Sequence, residues 1–147
     1  MIPVAHISTK DMAVGLWTTP SNDKIVVCSA YFPFDGEIDE SIQDLEKVRE
    51  YANTKGYGLI IMGDFNAHGE RWGSKENNPR GTLLEEYLEG SDLTLHNTGC
   101  ATWRNQRYAT HIDLTLSNDK LAGRLKHWKA GFEISSTDHA VICRVPN

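Results

Sequence analysis

Two short polar segments adjoin apolar runs, and their side chains are of the types that hydrolyse phosphate esters. Asp64 and Asn66 come directly after one apolar, strand-like run, and Asp138 and His139 come directly before another. A carboxylate at a strand end can bind a hard cation or orient water, and an amide can donate to a phosphate oxygen. Because α/β folds usually place their chemistry where strand ends face a crevice, the set suits metal-assisted hydrolysis.

Each of these signals also has an ordinary structural interpretation. The segment with Asp64 and Asn66 fits a strand followed by an Asx turn, and a lone histidine such as His139 is more often structural. Asp113 lies in a predicted strand of alternating apolar and polar residues, where a charge needs a partner. It is therefore the candidate to hold the imidazole of His139 in one tautomer, so that His139 can act as a general base. A structural Asp–His hydrogen bond is the alternative. Tyr31 closes another strand with a phenol able to donate to a phosphate, although a capping aromatic is favoured for it alone.

The charge of the chain is small but unevenly placed. At 147 residues the chain fits one domain with a real core, and its formal net charge of −5 excludes a domain that is basic throughout. The segment 30–52 holds seven acids against two bases, whereas 101–129 holds six bases against two acids. A local basic face could therefore meet a polyanion, although two ordinary solvated faces are favoured on charge alone.

The cysteine pattern favours a reducing compartment. The chain has three cysteines and no C-x-x-C motif, and Cys28 and Cys143 lie inside apolar runs. Buried, reduced thiols are therefore expected, which indicates an intracellular protein. No apolar segment reaches membrane-spanning length, and the N-terminus lacks the pattern of a signal peptide.

Apolar periodicity and turn residues predict a layered α/β sandwich with a mixed sheet, formed by a single domain over residues 1–147. Strands at 12–17 and 24–31 are joined by a turn into a hairpin, and a helix follows at 38–52. Asp35 or Asp39 is expected to cap that helix. The other predicted elements are a strand at 58–62 that is buried on both faces, a helix at 79–90, and short strands at 93–95, 102–104, 110–117, 125–130 and 140–145.

The order of four motifs resembles the endonuclease/exonuclease/phosphatase superfamily. The motifs are Y-x-P at Tyr31, G-D-F-N ending at Asn66, an isoleucine–aspartate pair ending at Asp113, and S-x-D-H ending at His139. Four short motifs in order over most of the chain are a strong signal, although each alone is weak.

Further segments are similar to the apurinic-type endonuclease domain of non-LTR retrotransposons. They are N-A-H from Asn66, R-W-G-S from Arg71, R-G from Arg80, L-H-N-T-G from Leu95 and A-T-W from Ala101. The resemblance implies a partial DNase I-like fold, with mixed, largely antiparallel sheets flanked by helices. It also implies an endonuclease that cuts DNA and needs Mg²⁺ or Mn²⁺. The implied protein is nuclear, has no membrane partner, and is part of a polyprotein that includes a reverse transcriptase.

The resemblance implies a role for each residue of the expected cleft. Tyr31 would contact the scissile phosphate, Asp64 would orient the attacking water or a metal-bound group, and Asn66 would bind the phosphate. Asp113 would orient His139, which would stabilise the phosphorane-like charge or act as a base.

The resemblance also implies metal and DNA contacts. Asp138, together with Asp64, would hold the divalent cation. Arg104, Asn105 and Arg107 would lie in a loop near DNA, where arginines contact phosphates or guanine edges.

One departure from the family pattern concerns the N-terminus. Family members begin with strands that carry an asparagine and a metal-binding glutamate, and no such segment precedes Met12. We therefore expect a domain that lacks its N-terminal strands and binds metal more weakly. The alternatives are a non-catalytic remnant that binds DNA or a partner, and a superfamily phosphatase that acts on a small phosphate ester. The W-G-S and N-x-G segments favour the nuclease.

Overall fold

The computed structural model describes residues 1–99, 101–131 and 141–146, and side chains are described outside 126–131 and 141–146. In this part of the chain the helices are α1 (Ile38–Lys55), α2 (Pro79–Glu89) and the short α3 (Asp119–Ala122), with 3₁₀ turns at Ala5–Ile7 and Glu70–Trp72. The strands are β1 (Ile2–Pro3), β2 (Met12–Thr18), β3 (Lys24–Tyr31), β4 (Gly58–Asp64), β5 (Thr94–Leu95), β6 (Trp103–Arg104), β7 (Ala109–Thr110), β8 (Asp113–Ser117), β9 (Leu125–Gly131) and β10 (Val141–Pro146).

The predicted mixed α/β architecture is confirmed. Six strands form one sheet in the order β1-β2-β3-β4-β8-β5, in which only the β3–β4 pair is parallel. The pairs β6–β7 and β9–β10 form two small antiparallel sheets. The helix α1 connects the two parallel strands, as a crossover between parallel neighbours requires.

The predicted strand at 110–117 is in fact two strands, and this separation shapes the site. The pair β6–β7 forms a hairpin whose second strand ends at Thr110, and β8 begins afresh at Asp113 in the main sheet. The alternating pattern runs through both strands, so it carries no signal for the point at which the chain changes sheets.

The first helix begins without the predicted cap. Its N-cap is Glu37, whose side chain makes no capping hydrogen bond, so the prediction of Asp35 or Asp39 was wrong. Asp39 lies instead in the first turn, where a negative charge interacts favourably with the helix dipole. The helix ends at Gly56 in the left-handed conformation, with φ of 71°, as its position after the apolar periodicity predicts.

The core lies between one face of the main sheet and the two long helices. Leu59 and Ile61 of β4 are fully buried against Leu45 and Val48 of α1 in one cluster, to which α2 contributes Leu84. On the opposite face of β4, Ile60 and Met62 are only half-buried. The prediction that this strand is buried on both faces therefore holds for one face alone.

The buried thiol of Cys28 in this core is unreactive. Cys28 is buried in β3, and burial raises the pKa of its thiol to about 12. The thiol is therefore protonated and inert at neutral pH, as the sequence predicts for it.

Among the described residues, no helix has the length and apolarity needed to cross a bilayer.

Candidate active site

Three of the predicted site residues meet at one end of the main sheet. Tyr31 is the last residue of β3 and lies opposite Asp64, the last residue of β4. Asp64 in turn lies opposite Asp113, the first residue of β8. The parallel pair β3–β4 and the antiparallel pair β4–β8 thus place a phenol and two carboxylates at the same end of three adjacent strands.

The backbone turns sharply after Asp64. The carboxylate Oδ1 of Asp64 accepts the backbone N–H of Asn66 at 2.9 Å, which is the Asx turn considered above. Asn66 has φ of 45°, a left-handed conformation that asparagine tolerates better than most residues. The strand and its extended geometry therefore end at Asp64, and the Asx turn itself places the amide beside the carboxylate.

Two buried phenylalanines anchor this end of the sheet. Phe65 lies between the two polar residues of the turn, and Phe32 follows the last residue of β3. Both are fully buried, and their ring centroids are 4.4 Å apart. Because both rings are held in the core, they fix the strand end and the turn that carry Tyr31, Asp64 and Asn66.

The side chain of Asn66 is fixed by the neighbouring strand end. Its Nδ2 donates to the carbonyl oxygen of Phe32 at 2.9 Å. A carboxamide has two N–H groups, and this bond uses one of them, so the amide can still donate to a ligand.

Arg80, at the start of α2, fastens the loops of the cleft to each other. Its Nε donates to the carbonyl oxygen of Asn66 at 2.9 Å, its Nη1 to that of Gly36 at 2.9 Å and its Nη2 to that of Pro33 at 3.1 Å. One planar guanidinium therefore joins the loops after β3 and β4 to α2. Sequence reasoning noted Arg80 as part of a motif but gave it no role.

Asn78 performs a similar task at the helix cap. Its Oδ1 accepts the backbone N–H of Gly81 at 2.8 Å as an N-cap and also accepts that of His68 at 3.0 Å. A Cβ at Gly81 would lie 1.8 Å from the carbonyl oxygen of His68, so only glycine permits this contact between α2 and the loop.

Asp113 is held by its backbone in a buried position. Asp113 is only 7% exposed. Its backbone N–H donates to Oγ1 of the buried Thr102 at 2.9 Å, and its carbonyl oxygen accepts a hydrogen bond from Nδ2 of Asn97 at 2.9 Å. Asn97 also accepts the N–H of Thr115, so it spans two residues of β8. These bonds set the position of Asp113 independently of its own carboxylate.

Tyr31, Asp64 and Asn66 line an open cleft of about 420 Å³, and Ile112, the residue before Asp113, also lines it. Tyr31, 46% exposed, Phe34, 77% exposed, and Trp103 of β6 bring three aromatic rings to its walls. The cleft is therefore polar at its floor and aromatic at its rim, an arrangement that can contact both the phosphate and the sugar or base of a nucleotide.

The predicted DNA-contacting loop forms the tip of the β6–β7 hairpin. Arg104 ends β6 and is exposed, as is Arg107. The Oδ1 of Asn105 accepts the backbone N–H groups of Arg107 and Tyr108, each at 2.8 Å, so this side chain shapes the turn. Contact of these residues with DNA stays a prediction.

Asp138 and His139 lie outside the described residues. The predicted dyad of Asp113 and His139, and the predicted metal contact of Asp138, therefore stay predictions. Within the described ranges, no group of three or more His, Cys, Asp or Glu side chains gathers as a metal site would require. The carboxylate of Asp64 at the cleft nevertheless fits Mg²⁺, which is commonly bound by one or two carboxylates with water and substrate phosphates as its other ligands.

Comparisons with known proteins agree with this arrangement. The model of the family described as endonuclease-reverse transcriptase matches residues 25–143. No curated protein matches the chain. Among solved structures, the endonuclease domain of TRAS1, a telomere-specific non-LTR retrotransposon, is 25% identical with a TM-score of 0.90, over 99% of this chain and 67% of that one.

Two more distant structures share the fold. The catalytic domain of Xenopus laevis APE2 is 16% identical with a TM-score of 0.64, over 92% of this chain and 55% of its own. The 3′-5′ exonuclease NExo from Neisseria meningitidis is 18% identical with a TM-score of 0.67, over 93% and 65%. The chain thus spans between about half and two thirds of the length of these three structures. The family match, the DNase I-like fold and the motif order together show that the chain belongs to the endonuclease-reverse transcriptase family of the endonuclease/exonuclease/phosphatase superfamily.

Proposed function

We propose that the protein is a divalent-metal-dependent endonuclease that hydrolyses phosphodiester bonds of DNA, as in target-site nicking by a non-LTR retrotransposon. The observation that carries the proposal is the placement of Tyr31, Asp64 and Asp113 on adjacent strand ends, with Asn66 fixed beside them. The family match and the likeness to the TRAS1 domain support DNA as the substrate.

Each of the proposed catalytic residues has a separate role in hydrolysis. Asn66 and Tyr31 donate hydrogen bonds to the non-bridging oxygens of the scissile phosphate and so hold it against the cleft floor. Asp64 accepts a hydrogen bond from the attacking water and so orients its lone pair towards phosphorus. As the new bond from water to phosphorus forms, the bond from phosphorus to the 3′ oxygen breaks, and that oxygen takes up a proton and leaves as a 3′ hydroxyl. Asp113 orients the imidazole of His139. That imidazole stabilises the negative charge of the phosphorane-like transition state, or acts as the base that takes the proton of the attacking water.

The metal ion would be held by Asp64 and Asp138. Mg²⁺ or Mn²⁺ bound there supplies charge neutralisation of the phosphate. The partners are DNA and the remainder of a retrotransposon polyprotein that includes a reverse transcriptase, and the location is nuclear.

The experiment is a nicking assay on supercoiled plasmid with Mg²⁺ or with EDTA. Both the 147-residue chain and a form extended at its N-terminus by strands that carry the family's asparagine and glutamate are assayed. We expect Mg²⁺-dependent conversion to open circles, and we expect His139→Ala to lower the rate by about 10²–10⁴-fold.

Two outcomes would contradict the proposal. Nicking by the extended form that is undiminished in His139→Ala would remove the mechanism. Release of phosphate from a 3′-phosphorylated oligonucleotide without any nicking would show a phosphatase instead.

A further inference from the structure

A second recess lies at the end of the sheet opposite the cleft, and cations surround it. It has a volume of about 230 Å³ and is lined by Lys24, Lys55, Lys120 and Arg124, with Asp23 as its one carboxylate. These residues come from the β2–β3 turn, the start of β3, the end of α1 and the region of α3. We call this the basic recess.

The charge of the basic recess contrasts with that of the chain. The formal net charge of the protein is −5, yet four cations face one carboxylate here. Arg124 forms an ion pair with Asp23 at 3.5 Å, so the one carboxylate of the basic recess is paired with one of its four cations. Four cations gathered round one concavity repel each other and raise the local concentration of anions.

The three lysines are not neutralised by ion pairs within the described part of the chain. Lys24 donates through Nζ to Oγ1 of Thr18 at 2.9 Å, which is a neutral partner. Lys55 and Lys120 are exposed, and the described salt bridges include neither of them. A bound anion would therefore gain charge–charge interactions without breaking any described lysine–carboxylate pair.

The position of the basic recess separates it from the cleft. Lys24 begins β3 and Tyr31 ends it, so the two sites are about 20 Å apart along a strand of eight residues. They also lie at opposite ends of the sheet. A phosphate bound in the cleft therefore cannot at the same time contact the basic recess, and phosphates at the two sites are at least several nucleotides apart.

We infer that the basic recess binds the phosphate backbone of a nucleic acid, as a second binding site separate from the catalytic cleft. Point charges on flexible lysines, spread over several elements, suit repeated phosphates without sequence recognition. The inference does not depend on cleavage, so it can stand or fall separately from the proposed function.

The test measures binding of a fluorescein-labelled single strand of about 20 nucleotides by fluorescence anisotropy, in EDTA so that nothing is cut. The variant Lys55→Glu/Lys120→Glu should weaken binding at least about ten-fold and flatten the salt dependence by about two released ions. The matched control is Lys10→Glu/Lys47→Glu, which changes the net charge equally at exposed lysines away from the basic recess. The control should change binding little.

A second variant and a competitor complete the test. Lys55→Gln/Lys120→Gln removes the charges without reversing them and should give an intermediate loss, and circular dichroism reports whether each variant is folded. Equal losses in the recess and control variants would overturn the inference. So would displacement of the strand by pyrophosphate at equimolar phosphate and constant ionic strength, since the basic recess would then be a small-anion site.

Discussion

The catalytic cleft and the contact between α1 and α2 both gather polar side chains, but they hold them in opposite ways. Between the helices, charged groups bind each other: Arg49 donates to Glu46 at 2.8 Å and to Asp92 at 3.1 Å, and the hydroxyl of Tyr87 donates to Glu46 at 2.6 Å. In the cleft, Asn66 and its neighbours are held through bonds to backbone groups.

The difference separates stabilisation from positioning. In the helix contact one guanidinium, that of Arg49, is shared by two carboxylates, and the pKa values shift accordingly. The hydrogen bond from Arg49 lowers the pKa of Glu46, and burial raises that of Tyr87. In the cleft, backbone bonds fix Asn66 and the surrounding loops without matching charge to charge. Substitutions in the cleft should therefore alter activity most, and substitutions between the helices should alter stability alone.

The largest expected effect is on activity. Asp64→Asn should lower plasmid nicking by about 10³-fold, because the uncharged amide orients the attacking water less well and binds a cation more weakly than the carboxylate does. Asp113→Asn should cost less, because Asp113 acts through the imidazole. The measurement is the initial rate of open-circle formation.

Glu46→Gln is the control for that comparison. It makes the same change of carboxylate to amide, but between the helices, so its nicking rate should match that of the unaltered protein. A comparable loss of activity in Glu46→Gln would show that the two regions are not separable.

The next effect is on stability at the cleft floor. Phe65→Ala should lower the free energy of unfolding by about 3–5 kcal/mol, because it opens a cavity beside Phe32. Phe34→Ala is the matched control: the ring is 77% exposed, and its loss should change stability by less than about 0.5 kcal/mol. Urea unfolding measures both, and equal effects would mean that Phe65 does not anchor the turn.

Sequence patterns predicted the parts of the cleft that follow from periodicity and motif order. The hairpin, α1, α2 and the strand that ends at Asp64 follow from alternation, helical spacing and turn residues. The convergence of Asp64 and Asp113 was predicted from their places at strand ends and is found in the sheet register.

What the sequence could not predict depends on backbone contacts between distant loops. The bonds of Arg80 to carbonyls 33, 36 and 66 leave no mark in the sequence, since every residue has a carbonyl. The left-handed turn at Asn66 was considered only as an alternative to the site, whereas the structure uses the turn to build the site. The basic recess joins residues separated by up to about a hundred positions, which local patterns do not relate.

A smaller effect on activity is expected at Arg80. Arg80→Met keeps much of the side-chain length but removes three bonds to loop carbonyls, so the loops after β3 and β4 should lose their fixed spacing. Because a small misplacement of reacting groups is costly, nicking should fall by about 10- to 100-fold. Arg71→Met, at an exposed arginine of the 70–72 turn, should leave the rate unchanged. Equal rates in the two variants would show that Arg80 does not position the cleft.

The smallest expected effect tests the helix contact through pH. Burial opposes ionisation of Asp92, but hydrogen bonds from the Asp119 N–H, Arg49 and Asn53 together lower its pKa, as Arg49 lowers that of Glu46. Carboxyls with lowered pKa values in the folded state contribute stability above their unfolded pKa, and that contribution is lost as the pH falls through the folded values.

Arg49→Met should therefore lower the free energy of unfolding by about 1–2 kcal/mol at neutral pH, between the values for exposed and buried charged hydrogen bonds. The difference from the unaltered protein should shrink as both carboxyls are protonated, towards about pH 3. Lys47→Met, which removes an exposed pair with Asp44 at 3.9 Å, should change stability by only a few tenths of a kcal/mol. Urea unfolding at several pH values measures these differences. A constant difference for Arg49→Met across that range would mean that the side chain acts by packing its alkyl stem and not by pairing with the two carboxylates.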